Sequence, residues 1–67
     1  MIEVLINGKN KSIDANLNLR DLLTSLDLTA ERIAVELNKD VVRKGDWENT
    51  TLAERDQIEI IHFVGGG

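Results

Sequence analysis

The chain has no cysteine. Disulfides, zinc-thiolate sites and thiol nucleophiles are therefore excluded. A small domain without such staples must hold together by packing alone, which suits a reducing compartment. Proline is also absent, which removes slow cis-proline steps and proline-rich linkers. No apolar run approaches the roughly 18 residues of a membrane span, so no membrane association is expected. The start, Met1-Ile2-Glu3-Val4, has neither a basic stretch nor a separate apolar segment. No secretory leader is expected, and the expected location is the cytoplasm. Positive charge is in deficit, with 8 basic residues against 12 acidic ones and a net charge of −4. This argues against a nucleic-acid binder that tracks phosphates. It suits a protein that docks on a basic partner surface. One small domain fits in 67 residues. Such a domain buries only about 60% of its unfolded surface, which leaves little room for a substrate cleft of the usual size.

What is present reads as strands around one helix. Ile2, Val4 and Ile6 alternate with Glu3, Leu5 and Asn7, the period of a strand. Asn7-Gly8 then forms a hairpin turn, and Lys9–Asp14 returns as a polar edge strand anchored by Ile13. Leu19, Leu22, Leu23 and Leu26 make one helical stripe, with Asn18 at the N-cap and Asp21 near the positive helix end. The helix is short and must pack on something to form. Asp27–Arg32 is its exit loop. Ile33–Leu37 is a strand, Asn38-Lys39-Asp40 turns the chain, and Val41-Val42 returns it. Arg43–Thr51 is an irregular crossing, after which Leu52 plugs the core and Arg55-Asp56 turns. Gln57–Val64 is the longest β-prone run, and Gly65-Gly66-Gly67 follows it. Two hairpins separated by a helix, plus a last strand, make an α+β chain with a mixed sheet and the helix on one face. The strongly apolar first and last strands are expected to be central and adjacent.

The triple glycine is the most informative feature. Its residues have no side chain and maximal backbone freedom, and extended they reach roughly 10 Å beyond the sheet. A terminal carboxylate on such a tail suits a narrow enzyme channel. Carboxylates are poor electrophiles, but adenylation by a partner enzyme using ATP makes the carbonyl open to attack. Attack by sulfur, followed by cleavage, leaves a thiocarboxylate; attack by a lysine amine gives a protein conjugate. A terminal glycine run is also a common frayed end. Here the tail leaves a core strand directly.

Several ordered stretches resemble one family. They are Asn7-Gly8-Lys9, Asn18-Leu19-Arg20-Asp21-Leu22-Leu23, Ala34-Val35-Glu36-Leu37-Asn38, Val41-Val42 with Trp47 beyond, and Asp56-Gln57-Ile58-Glu59-Ile60-Ile61 leading to Phe63-Val64-Gly65-Gly66-Gly67. Together they resemble the ThiS family of sulfur carriers in thiamine thiazole biosynthesis, over nearly the whole chain. The resemblance implies a ubiquitin-like β-grasp domain over residues 1–64, with a sheet of about five strands and a flexible tail over 65–67. It implies that Gly67 is adenylated and then converted to a thiocarboxylate. It further implies that Gly66 threads the partner's channel, with Gly65 at a tail position that varies. The implied partners are a ThiF-type adenylating enzyme, a persulfide sulfur donor and the thiazole synthase ThiG. ATP is used by the adenylating partner, the chain itself binds no cofactor, and it is a cosubstrate rather than an enzyme. Two positions depart from the family pattern. Arg55 stands where glycine is frequent, and Arg43 where proline is frequent, so the shapes of these two turns are open.

If Ile2, Val4, Ile6, Ile58 and Ile60 face the helix, alternation puts Leu5, Ile61 and Phe63 on the opposite face. No remaining element covers that face, so these three are a candidate partner-binding patch. His62 lacks any motif for the oriented partner that general-base work requires. Trp47 fits a core cap better than a ligand reader. The acidic residues, among them Glu3, Asp14, Asp21, Asp27, Glu31 and Glu36, show no metal-loop spacing, and no metal site is expected. Three other readings of the whole chain stand beside the sulfur carrier. They are the small subunit of molybdopterin synthase, a ubiquitin-like modifier, and an interaction module with an inert tail.

Overall fold

The computed structural model describes residues 1–28 and 30–63. Five strands and one α-helix organise them: β1 (Ile2–Ile6), β2 (Lys9–Ile13), α1 (Leu19–Ser25), β3 (Ile33–Leu37), β4 (Asp40–Val42) and β5 (Gln57–His62). The sheet runs β2-β1-β5-β3-β4. β1 and β5 are neighbours and parallel, whereas every other pairing is antiparallel. The last strand, β5, is thus the middle one, with both of its edges paired.

Each hairpin is closed by a pair of residues in the left-handed region. Ile6 pairs with Lys9, and Asn7 and Gly8 between them have φ of 50° and 82°. Leu37 pairs with Asp40, and Asn38 and Lys39 between them have φ of 52° and 74°. Two successive positive φ values match the right-handed twist of the flanking strands, and asparagine tolerates the conformation better than most residues. Asp40, expected in the second turn, is instead the first residue of β4.

The two asparagines also act as extra strand backbone on either side of β5. Where β1 turns away, Ile60 N–H donates to Asn7 Oδ1 at 2.7 Å, and Asn7 Nδ2 donates to the Ile60 carbonyl at 3.4 Å. On the other flank, Gln57 N–H donates to Asn38 Oδ1 at 2.9 Å. Asn38 Nδ2 donates to Asp56 Oδ1 at 3.0 Å, and the second Asp56 oxygen accepts from Ala53 N–H at 2.8 Å. The Asn7 bonds are part-buried, where backbone groups need partners, whereas the Asn38 and Asp56 bonds brace the exposed start of β5.

The helix packs on one face of the sheet. Asn18 caps α1, its Oδ1 accepting from Asp21 N–H at 2.7 Å. Leu19, Leu22 and Leu23 are buried against Val4, Val35, Ile58 and Ile60, with Ile2 and Ile6 half-buried beside them. The helix is only 7 residues long, too short to persist unpacked. Its start is held instead by the later crossing: Leu19 N–H donates to the Thr50 carbonyl and Leu52 N–H to the Leu17 carbonyl. Leu52 is a buried plug, as expected. The crossing read as irregular contains a 3-10 helix, Lys44–Asn49, and a shorter one, Ala30–Arg32, precedes β3. Trp47 closes the core from the first of these, with its Nε1 donating to the Val42 carbonyl at 2.9 Å.

Both departures from the family pattern keep the backbone shape that the usual residue favours. Arg55 has φ of 70°, a region suited to glycine. Arg43 has φ of −69° and ψ of 149°, within the range that proline's ring imposes. Among the described residues, no helix is long and apolar enough to cross a membrane.

Candidate functional site

The expected chemistry sits at the end of β5. Gly65, Gly66, Gly67 and Val64 lie outside the described residues, so the structure bears on the root of the tail. β5 itself ends at His62. Phe63 is still held, its N–H donating to the Arg32 carbonyl at 2.8 Å. Three residues earlier, the Asn7 clamp fixes Ile60 from the other flank. The segment leading into the glycines is therefore anchored from both sides of the sheet.

The face opposite α1 has no element over it among the described residues. Ile61 is 48% exposed and Phe63 57% exposed. Ala34 lies directly across from Ile61 on β3. Leu5 is on the same face but half-buried, and its register partner is Gln57. That is four positions before Ile61, about 13 Å along the strand at its usual rise. The register thus groups Ile61, Phe63 and Ala34 at the tail end, and leaves Leu5 toward the far end of the same face.

Two features of this face escape a reading by alternation in β1 and β5 alone. Val41 is 70% exposed and stands opposite Glu36. Glu36 in turn stands opposite Glu59 on β5. Directly opposed like charges on one sheet face are unfavourable in an isolated chain. The alternation of Ile33–Leu37 carries the signal for Ala34 and Glu36, but their neighbours depend on register, which no local pattern specifies. His62 is exposed at the end of β5, and among the described residues its side chain has no hydrogen-bond partner. Among the same residues, no three His, Asp or Glu side chains converge on a possible metal position.

Residues 4–67 match the ThiS family. The chain belongs to the ThiS family. It is 40% identical over 63 residues to the sulfur carrier protein ThiS of Bacillus subtilis, covering 92% of this chain and 96% of that one. It is also 41% identical over 66 residues to a thiazole synthase of Magnetococcus marinus, covering 98% of this chain. This chain spans only 20% of that relative's length. Among solved structures, the crystal structure of a thiamine biosynthesis protein, ThiS, from Geobacter metallireducens superposes with a TM-score of 0.85 at 35% identity. It covers 98% of this chain and 100% of that one. The β-grasp arrangement of ThiS proteins, a mixed five-stranded sheet with one helix, is therefore the fold of this chain.

Proposed function

We propose that this ThiS-family chain is a sulfur carrier for the thiazole moiety of thiamine, loaded at the carboxylate of Gly67. The observation that supports this most is the anchoring of β5. This strand and the residue after it present Ile61 and Phe63 to a partner and lead into the glycines, so docking on that face fixes where the tail begins. A glycine tail on a fixed root gives a partner's active site a short search.

The chemistry follows from the tail. A ThiF-type adenylating enzyme joins the Gly67 carboxylate to AMP from ATP and releases pyrophosphate. A persulfide on a sulfur donor attacks the carbonyl, and AMP leaves. The resulting acyl disulfide is cleaved by a second thiol, which departs as a disulfide with the donor and leaves the thiocarboxylate. This species hands its sulfur to a thiazole synthase of the ThiG kind. The chain itself needs no bound cofactor or metal for these steps and acts as a cosubstrate, in the cytoplasm. Two relatives named thiazole synthase contain a segment like this chain within a longer protein, which favours the thiazole pathway over molybdopterin synthesis.

The docking face is the one opposite α1. Ile61, Phe63 and Ala34 form its apolar part, with Leu5 at the far end. Glu36 and Glu59 form an acidic part that a partner arginine or lysine would relieve, in keeping with the net charge of −4. ATP–pyrophosphate exchange tests the reading. With the adenylating enzyme present, the full chain is expected to support exchange, and a chain lacking Gly66 and Gly67 is not. Equal exchange by both would refute loading at the tail.

A further inference from the structure

On the helix side of the molecule, away from the proposed docking face, α1 and the 3-10 helix Lys44–Asn49 leave a small cavity between them. Its volume is about 90 Å³, and it is lined by Arg20, Leu23, Thr24, Leu28, Lys44 and Trp47. Arg20, Leu23 and Thr24 stand at the i, i+3 and i+4 positions of one helix face. The floor is apolar and fixed. Leu23 is buried, and Trp47 is buried with its only polar atom already bonded to the Val42 carbonyl. Leu28 is half-buried at the side.

The rim is cationic. Arg20 and Lys44 come from different elements and converge on one hollow, in a chain whose net charge is −4. Arg20 has no ion pair within 4.0 Å among the described residues, and Lys44 has only Glu31 at 3.9 Å, both of these side chains being largely exposed. Exposed pairs of this kind are worth little and exchange readily. A carboxylate of another molecule would therefore meet two available cations beside an apolar floor.

We propose that this cavity is a second docking site, which takes a branched aliphatic side chain flanked by carboxylates from a segment of a partner protein. The size decides the apolar part. The cavity is smaller than the roughly 150 Å³ apolar cavity that accepts benzene, so it suits a leucine or isoleucine side chain and excludes a nucleotide. The charge decides the flanks. The site lies on the side of the sheet opposite Ile61 and Phe63, so its occupant leaves the proposed tail-loading face free. The proposal does not depend on the sulfur-carrier reading, and the tail-deletion experiment says nothing about it.

The test titrates the full-length ¹⁵N-labelled chain with three blocked tripeptides: acetyl-Asp-Leu-Asp-amide, acetyl-Asn-Leu-Asn-amide and acetyl-Asp-Ala-Asp-amide. The expected result is saturable movement of the Trp47 indole N–H and Leu23 amide signals with the first peptide. Binding is expected to be at least fivefold weaker with each of the other two, and to weaken further as salt is added. The double variant R20Q/K44Q, changed only at exposed side chains, is expected to keep a folded spectrum and lose the preference for the acidic peptide. Four results would overturn the proposal. One is no localised movement at millimolar peptide, and a second is equal binding of the neutral or the alanine peptide. A third is an unchanged preference in the double variant. The last is concentration-dependent movement of the same signals without peptide, which would assign the cavity to self-association. Should the double variant fail to fold, the ranking of the three peptides on the unaltered chain still decides.

Discussion

Asn7 and Asn38 each do two jobs that most residues cannot combine. Both hold a left-handed backbone at a hairpin turn, and both offer an amide that pairs with the central strand. Glycine at position 7 keeps the first job and loses the second. Asn7→Gly is therefore expected to lower stability by about 1–3 kcal/mol, the cost of leaving half-buried backbone groups unpaired. Urea unfolding checks this as a fall in midpoint at constant slope. Arg43 and Arg55 give changes of the opposite sign. Arg43 already has proline's φ, and among the described residues its N–H donates no backbone hydrogen bond outside the strand ladders. Arg43→Pro is expected to stabilise by about 0.4–1 kcal/mol through the unfolded chain. Arg55 pays the left-handed penalty of roughly 1–2 kcal/mol, of which glycine's extra unfolded-state entropy takes back about half. Arg55→Gly is thus also expected to raise the melting temperature. The turn role of Asn7 was legible from Asn7-Gly8. Its amide clamp was not, because the partner lies 53 positions away.

At the scale of elements, hydrophobic period and turn residues sufficed wherever one face is buried. The alternation in β1 and β5 and the leucine stripe of α1 correspond to the buried side chains of the core. Asn18 is the cap that the sequence pattern places there, and Asn18→Ala is expected to cost about 1 kcal/mol, measurable by chemical denaturation. The 3-10 helix Lys44–Asn49 was illegible because it carries no apolar period and is held by Trp47 and by contacts to α1. The composition of the open face was legible only in part. Alternation identified Leu5, Ile61 and Phe63 as sharing it, but the β1–β5 register separates Leu5 from the other two. The short strand β4 hid Val41. Because Ile61 is about half exposed, Ile61→Asp is expected to leave the fold intact. The same change is expected to weaken binding to the adenylating enzyme tenfold or more, as read by titration calorimetry with circular dichroism as the fold control. Unchanged affinity would remove this face from the docking account.

For the whole molecule, the arrangement separates tasks by position. A core of leucine, isoleucine and valine on one side of the sheet holds the domain together. The other side, with Ile61 and Phe63 exposed, is the proposed partner face, and the central strand leads from it toward the glycines. A carrier needs little more than this, since on this account the adenylation, the sulfur supply and the ring-forming chemistry all belong to partner proteins. The fold class was legible because the strands and the helix each carry their own apolar period. The path of the tail lies outside the described residues. The most direct test is fragment mass spectrometry of the chain after incubation with ATP, a persulfide source and an adenylating enzyme. Fragmentation matters, because oxidation of Met1 adds almost the same mass as exchanging oxygen for sulfur. The account predicts a sulfur-for-oxygen exchange localised at Gly67. An unchanged Gly67, with the same enzyme and ATP active on a control carrier, would contradict it.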